Sequence, residues 1–307
     1  MYTGRTVFAQ LVDHLPMRRF QRLVRCYRGD YKVRGFSCRD QLLTMMFAQL
    51  TRCESLRDIH AVFAARPNLR YHLGIRGHVR RSTLRDANEK RDARIFEEFA
   101  KLLIAEARSL YVGEPMGVDI DATVYAFDST TISLCLELFP WATFRRRKAG
   151  IKLHTLIDLR GNIPSFILVS PAKTHDVIAL DDLPIEPGAF YLLDRGYIDY
   201  ERLYALHLSG AFFVTRVKDN AKYRVTASRP IDKTTGLRCD QSIRLIGPKT
   251  SSLYPEALRR VKFRDPETGD AYEFLTNHFL LPALVIAQLY KQRWQVELFF
   301  KWIKQHL

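Results

Sequence analysis

Apolar residues in the first third of the chain recur every three or four positions, as in Leu42, Leu43, Met46 and Leu50 and again in Leu84, Ala87, Ile95, Phe99, Leu102 and Leu103. That spacing gathers them on one side of an α-helix, so the segment up to residue 114 predicts several short helices. Ser82 stands before the second run as an N-cap, and residues 66–78 carry the breaker residues that separate helices. Gly113-Glu114-Pro115 closes this region. Beyond it the apolar period shortens to two and β-branched residues accumulate, which predicts strands at 124–131, 151–159, 163–170, 190–193 and 212–217 and helices at 177–183 and 200–209. Short strands and turns follow from 218 to 277, among them the turn Asp265-Pro266-Glu267-Thr268-Gly269-Asp270. A helical pattern then runs from Leu281 to the end.

Three strands, then helix, strand, helix and strand, is the order of a ribonuclease-H-like domain, in which an antiparallel meander precedes parallel strands. The expected fold class is therefore α/β: a ribonuclease-H-like mixed sheet with flanking helices over 115–217 and 278–307, interrupted by a β-rich insertion at 218–277 before the last acidic helix. An all-α N-terminal domain over 1–114 precedes it. A length of 307 residues exceeds what one core usually fills, and 47% apolar residues supply material for more than one.

Charge narrows the partner. The chain carries a net charge of +15, and residues 1–114 alone hold 22 basic against 12 acidic residues. Such an excess draws a protein toward a polyanion, with nucleic acid the leading candidate. Composition leaves two readings of the helical region equally open: a DNA-binding module, or a packing and dimerisation domain whose cations are merely solvated. No run of about eighteen apolar residues and no apolar segment behind Met1 provides a membrane anchor, so a cytoplasmic, membrane-free protein is expected. Cys26, Cys38, Cys53, Cys135 and Cys239 form no CxxC pair, which indicates neither zinc nor disulfides and leaves them as buried thiols.

The candidate chemistry lies in three acids. Asp128 sits inside an apolar strand and Asp194 closes another, each where the pattern calls for a hydrophobe. An unpaired buried carboxylate is costly, and a divalent cation is a partner that satisfies several at once. Acids emerging from neighbouring strands meet at the crevice beyond the strand ends, where Glu297 of the closing helix could supply the third. On that helix Tyr290, Arg293, Glu297 and Lys304 follow at spacings of three, four and seven, and at about 100° per residue they share a stripe roughly 60° wide. The opposite half, with Leu281, Leu284, Val285, Val296, Phe299, Trp302 and Ile303, is predicted to dock on the sheet. Asp119, Asp121, His154 and His175 lie nearby with weaker claims. Arg145-Arg146-Arg147-Lys148 reads either as a DNA-backbone contact or as a solvated loop.

Asp128 in Phe-Asp-Ser-Thr-Thr, Asp194 in Asp-Arg-Gly-Tyr, and Tyr290-x2-Arg293-x3-Glu297-x6-Lys304 resemble the three catalytic stations of the insertion-sequence four family of DDE transposases, the last being its Y-R-E-K signature. The resemblance extends through Phe47-Ala48-Gln49-Leu50 and Ser82-Thr83-Leu84. It implies a bacterial, nucleoid-associated transposase that binds terminal inverted repeats and uses two Mg²⁺ ions, with Mn²⁺ as substitute, held by Asp128, Asp194 and Glu297. Asp128 would bridge both ions. It further implies that Tyr290, Arg293 and Lys304 contact DNA phosphates, and that a homodimer on double-stranded DNA joins element ends to target. Family members usually extend beyond the Y-R-E-K helix, so a C-terminally shortened chain is expected, with a non-catalytic DNA-binding remnant or inhibitor as the alternative function.

Overall fold

The computed structural model describes residues 5–134, 143–145 and 148–306. The chain divides into two compact units, one of residues 108–301 and one of residues 1–107 together with 302–307.

The N-terminal unit is helical: α1 (Val7–Asp13), α2 (Met17–Cys26), α3 (Cys38–Leu50), α4 (Leu56–Ala65), α5 (Leu69–His72), α6 (Arg81–Lys90) and α7 (Arg94–Leu110). A capping box starts α3, where Ser37 Oγ accepts from the Asp40 amide at 3.1 Å and Asp40 accepts from the Ser37 amide at 3.0 Å. The apolar run expected to form one helix from Ser82 is two. Asp92 breaks it by taking the Arg94 amide at 3.0 Å, which caps a new helix, while Arg91 turns back to Gln41 on α3 at 2.7 Å. Ser82 lies within α6, behind the N-cap residue Arg80. Phe8, Phe36, Leu43, Phe63 and Leu84 build one apolar cluster, and Phe20, Ile95 and Phe99 a second.

The second unit is organised on a sheet of β1 (Val124–Leu134), β2 (Thr143–Arg145), β3 (Lys148–Asp158), β4 (Ile163–Pro171), β5 (Phe190–Leu193), β6 (Phe212–Arg216), β7 (Tyr223–Ser228), β8 (Leu237–Leu245), β9 (Leu258–Arg264) and β10 (Ala271–Thr276). Within it β4-β3-β1 is an antiparallel meander, and β5 and β6 continue parallel to β1. That is the ribonuclease-H-like order predicted from the sequence. A 3₁₀ turn at Asp176–Asp182 and α8 (Tyr200–Leu208) stand at the two predicted helical stretches. Tyr125, Phe127, Tyr191, Leu193, Leu203 and Phe213 fill the core on one face.

The strands of residues 218–277 do not form a sheet of their own. The order runs β5-β6-β10-β9-β8-β7, so β10 pairs antiparallel with β6 and extends the central sheet. The turn at Asp265–Asp270 joins β9 to β10 as predicted. A short helix, α9 (Pro248–Leu253), precedes β9. Arg259 on β9 is buried and donates to both oxygens of Asp240 on β8 at 2.8 Å, and again to the Leu281 carbonyl at 2.6 Å. One guanidinium thereby ties the outer strands to the entry of the closing helices, α10 (Ala283–Gln292) and α11 (Trp294–His306).

Replacing Arg259 by Met leaves the buried Asp240 carboxylate with Arg229 alone, at 3.3 Å, and is expected to cost about 2–4 kcal/mol in urea unfolding, whereas the pair Asp240→Leu, Arg259→Met recovers part of that loss. Equal destabilisation by the single and double variants would contradict the assigned role.

Candidate active site

Strand pairing sets the first two acids side by side. Phe127 of β1 lies opposite Leu193 of the parallel strand β5, so the next residues are neighbours: Asp128, still within β1, and Asp194, just past the end of β5. The crevice beyond the carboxyl ends of parallel strands is where open α/β sheets bind ligands. Residues 190–193 are fully buried, which fixes where the strand delivers Asp194.

The third acid comes from the closing helices. The backbone tightens at Arg293, where the Arg293 amide bonds to the Tyr290 carbonyl and the Val296 amide to the Arg293 carbonyl, so the expected single helix is divided into α10 and α11. The Arg293 side chain is anchored at that point. Its Nη1 donates to Asp128 Oδ2 at 3.0 Å and its Nη2 to Glu297 Oε1 at 2.5 Å. Tyr290 Oη donates to Asp194 Oδ1 at 3.3 Å, and the guanidinium lies 5.7 Å from the Tyr290 ring centre. Asp128, Asp194 and Glu297 therefore converge on one Tyr–Arg pair.

This arrangement departs from the face assignment read from periodicity at Tyr290, Arg293 and Trp302, while Val296 is buried as that assignment expects. Tyr290 is buried and Arg293 is only 15% exposed at its side chain, while Trp302, expected in the core, is 55% exposed. The buried positions are Ile286, Ala287, Leu289, Tyr290, Val296 and Phe300. Tyr290 and Arg293 turn inward because the sheet supplies carboxylates where an apolar surface was anticipated. Lys304 is exposed and belongs to the other compact unit.

Burial pushes Asp128 up to about 6, and the Asp194 and Glu297 charges push the same way, against the Ser129 amide and Arg293. Burial also raises the Tyr290 phenol to about 12, which keeps it a proton donor. The Ser129 amide donates to Asp128 Oδ1 at 2.8 Å. The Ser129 hydroxyl donates to Asp176 at 2.7 Å, and Lys152 meets the same carboxylate at 3.0 Å. The Ser129–Asp176–Lys152 group escaped the sequence reading; alternation along β1, which turns Ser129 to the face opposite Asp128, and the Thr-His-Asp run were its only signals.

His154 belongs to the core: it is fully buried, its Nε2 meets Ser170 Oγ at 2.8 Å, and burial lowers its pKa. Asp119, Asp121 and His175 are exposed. The backbones of Arg145 and Lys148 pair across the β2–β3 hairpin, and Arg146, Arg147, Trp141 and Cys135 lie outside the described residues. Cys26 is exposed rather than buried, because it ends α2 beyond the reach of that helix's apolar side.

A cleft of 390 Å³ opens beside Tyr290, Arg293 and Glu297, with Trp294, Tyr272 and Arg216 among its walls. The carboxylate oxygens are hard donors suited to Mg²⁺ or Mn²⁺, and the cluster needs more positive charge than one guanidinium provides. Among the described residues no three acidic, histidine or cysteine side chains stand in ligating geometry. Arg293 fills the space between two of the candidates.

A family model for the transposase DDE domain matches residues 119–307, and a domain of unknown function, DUF4372, matches residues 3–76. A Sinorhizobium fredii protein named "Putative transposase y4zB" is 36% identical over 73% of this chain and 62% of its own length. A Geobacillus stearothermophilus protein named "Probable transposase for insertion sequence element IS5377" is 31% identical over 59% of this chain and 47% of its own length. The chain thus spans about half to two thirds of these relatives. A piggyBac transposase synaptic complex with hairpin DNA aligns at a TM-score of 0.46 and 10% identity, over 100% of this chain and 70% of that one, a level that carries no argument. Among the described residues no helix is long and apolar enough to cross a membrane.

Asp128 titrates near 6 where a free aspartate titrates near 3.8, so between those values the folded chain keeps a proton the unfolded chain has released. Stability of the metal-free protein should therefore fall as pH rises through that window, by roughly 3 kcal/mol. Asp128→Asn is expected to flatten the fall. Urea melts at closely spaced pH values test this, and identical slopes for the two proteins would show that the carboxyl is not desolvated.

Proposed function

This chain belongs to the transposase DDE-domain family, and we propose that it acts as a DNA transposase that binds the terminal inverted repeats of an insertion sequence and catalyses metal-dependent cleavage and strand transfer. The observation that carries the reading is the convergence of Asp128, Asp194 and Glu297, from β1, the end of β5 and α11, on the Tyr290–Arg293 pair. Two Mg²⁺ or Mn²⁺ ions, when held by these oxygens, supply polarisation of a phosphodiester and an acidified water.

The chain's own groups do the rest. Asp128 is poised to lose its proton near neutrality and so to present a full carboxylate. Tyr290 donates a hydrogen bond and Arg293 a planar fork, both suited to phosphate oxygens. The neighbouring cleft, with Trp294 57% exposed at its edge, offers room for a strand end. In this reading the helical unit over residues 1–114 holds the element ends through its excess cations, the Arg145–Lys148 run and Lys304 add backbone contacts, and the protein acts at the nucleoid. A symmetric homodimer is the simplest way to bring two ends to one target.

Plasmids carrying the DNA that flanks the reading frame test the proposal. Mg²⁺-dependent nicking at the ends is expected, with Asp128→Asn, Asp194→Asn and Glu297→Gln each lowering it by about 10³-fold or more. DNA affinity in these variants should stay within about threefold of the parent, because cations supply most of it. Loss of binding in parallel with cleavage would overturn the assignment of the acids.

A further inference from the structure

Arg293 occupies a position that phosphate contact alone does not explain. Its fork spends one arm on Asp128 and the other on Glu297, two of the three acids, and its Nε is buried without a partner. A guanidinium held in this way is the cation of the site. Arg293 is the only cation paired with either acid among the described residues. Such a bridge holds two like-charged groups together, and it blocks the oxygens a divalent ion would need.

We infer that Arg293 is a built-in counter-cation that competes with the metal for Asp128 and Glu297. In the absence of metal it keeps the acids assembled. When the ion binds, the guanidinium must leave, since its charge repels the ion and its donors occupy the same oxygens. The freed fork then lies next to the reacting centre and is available to a phosphate. Metal binding and DNA binding are thereby coupled through one side chain, and the coupling acts in both directions. Arg293 stands at the tightened turn between α10 and α11, from which such a movement of its side chain would start. This inference rests on the reading of the three acids as a metal site.

The test is Mn²⁺ binding to the full chain without DNA, read by calorimetry and by the rise in melting temperature. A residue that serves only DNA would leave Mn²⁺ affinity unchanged when replaced, whereas a competitor predicts that Arg293→Gln binds Mn²⁺ roughly 5- to 10-fold more tightly than the parent. Arg293→Lys, which cannot fork across both acids, should fall between the two and provides the comparison if the Gln variant does not fold. Affinity unchanged or weakened in both variants overturns the inference while leaving the metal site intact. Mn²⁺ binding absent from the parent and both variants overturns the metal site itself, and the inference with it. A second arm measures affinity for a mixed-sequence duplex. In EDTA the parent and Arg293→Gln should bind alike, and with Ca²⁺ the parent should bind about 3- to 10-fold more tightly. An equal deficit of the variant under both conditions would mean the fork is free throughout, and the inference falls.

Discussion

Three carboxylates drawn from three separate elements repel one another, and a partly buried site weakens the water that would otherwise screen them. The structure depends on how that repulsion is met. Arg293 spans Asp128 and Glu297, and Tyr290 reaches Asp194, so two side chains one helical turn apart engage all three acids. Burial still pushes Asp128 upward against the pull of Arg293, with the other two acids adding to the push.

The architecture serves that constraint. Parallel pairing of β1 with β5 sets an acid within β1 beside one at the end of β5, a placement set by backbone hydrogen bonds rather than by side chains. Helix α11 has no such register to hold it. It follows α10, whose entry is fixed by the outer strands, which join the central sheet through β10 and β6 and reach back through Arg259 to Leu281. The segment between the second and third acids is therefore a lateral extension of the sheet. It also provides walls of the cleft beside the site, through Tyr272, Phe274 and Phe263.

Much of this was legible in the chain before any coordinates. The five strands of the central sheet fall within three residues of where alternation put them, because a period of two is a local property that burial on one face enforces. The acids were visible as charges in apolar strands, and the Y-R-E-K spacing pointed to the family that the domain match bears out. Other features depended on contacts distant in sequence. The split between α6 and α7 turns on Asp92 capping a helix, a choice that apolar spacing does not record. The continuity of the sheet through β6 and β10 follows from pairing across some sixty residues, which no local pattern encodes. His154 looked available for chemistry and is packed against Phe127 instead.

The closing helix shows the division most clearly. The sequence by itself determined that Tyr290, Arg293 and Glu297 share one side of a helix, since helical geometry follows from spacing alone. It also determined that Asp128 lies inside one strand pattern and Asp194 closes another, and that the chain is strongly basic. Only the tertiary structure decided which way that helix faces. Periodicity sorts residues into a polar and an apolar side and assumes the apolar side is buried. Here the sheet offers acids, and ion and hydrogen-bond partners drew Tyr290 and Arg293 inward from the polar side.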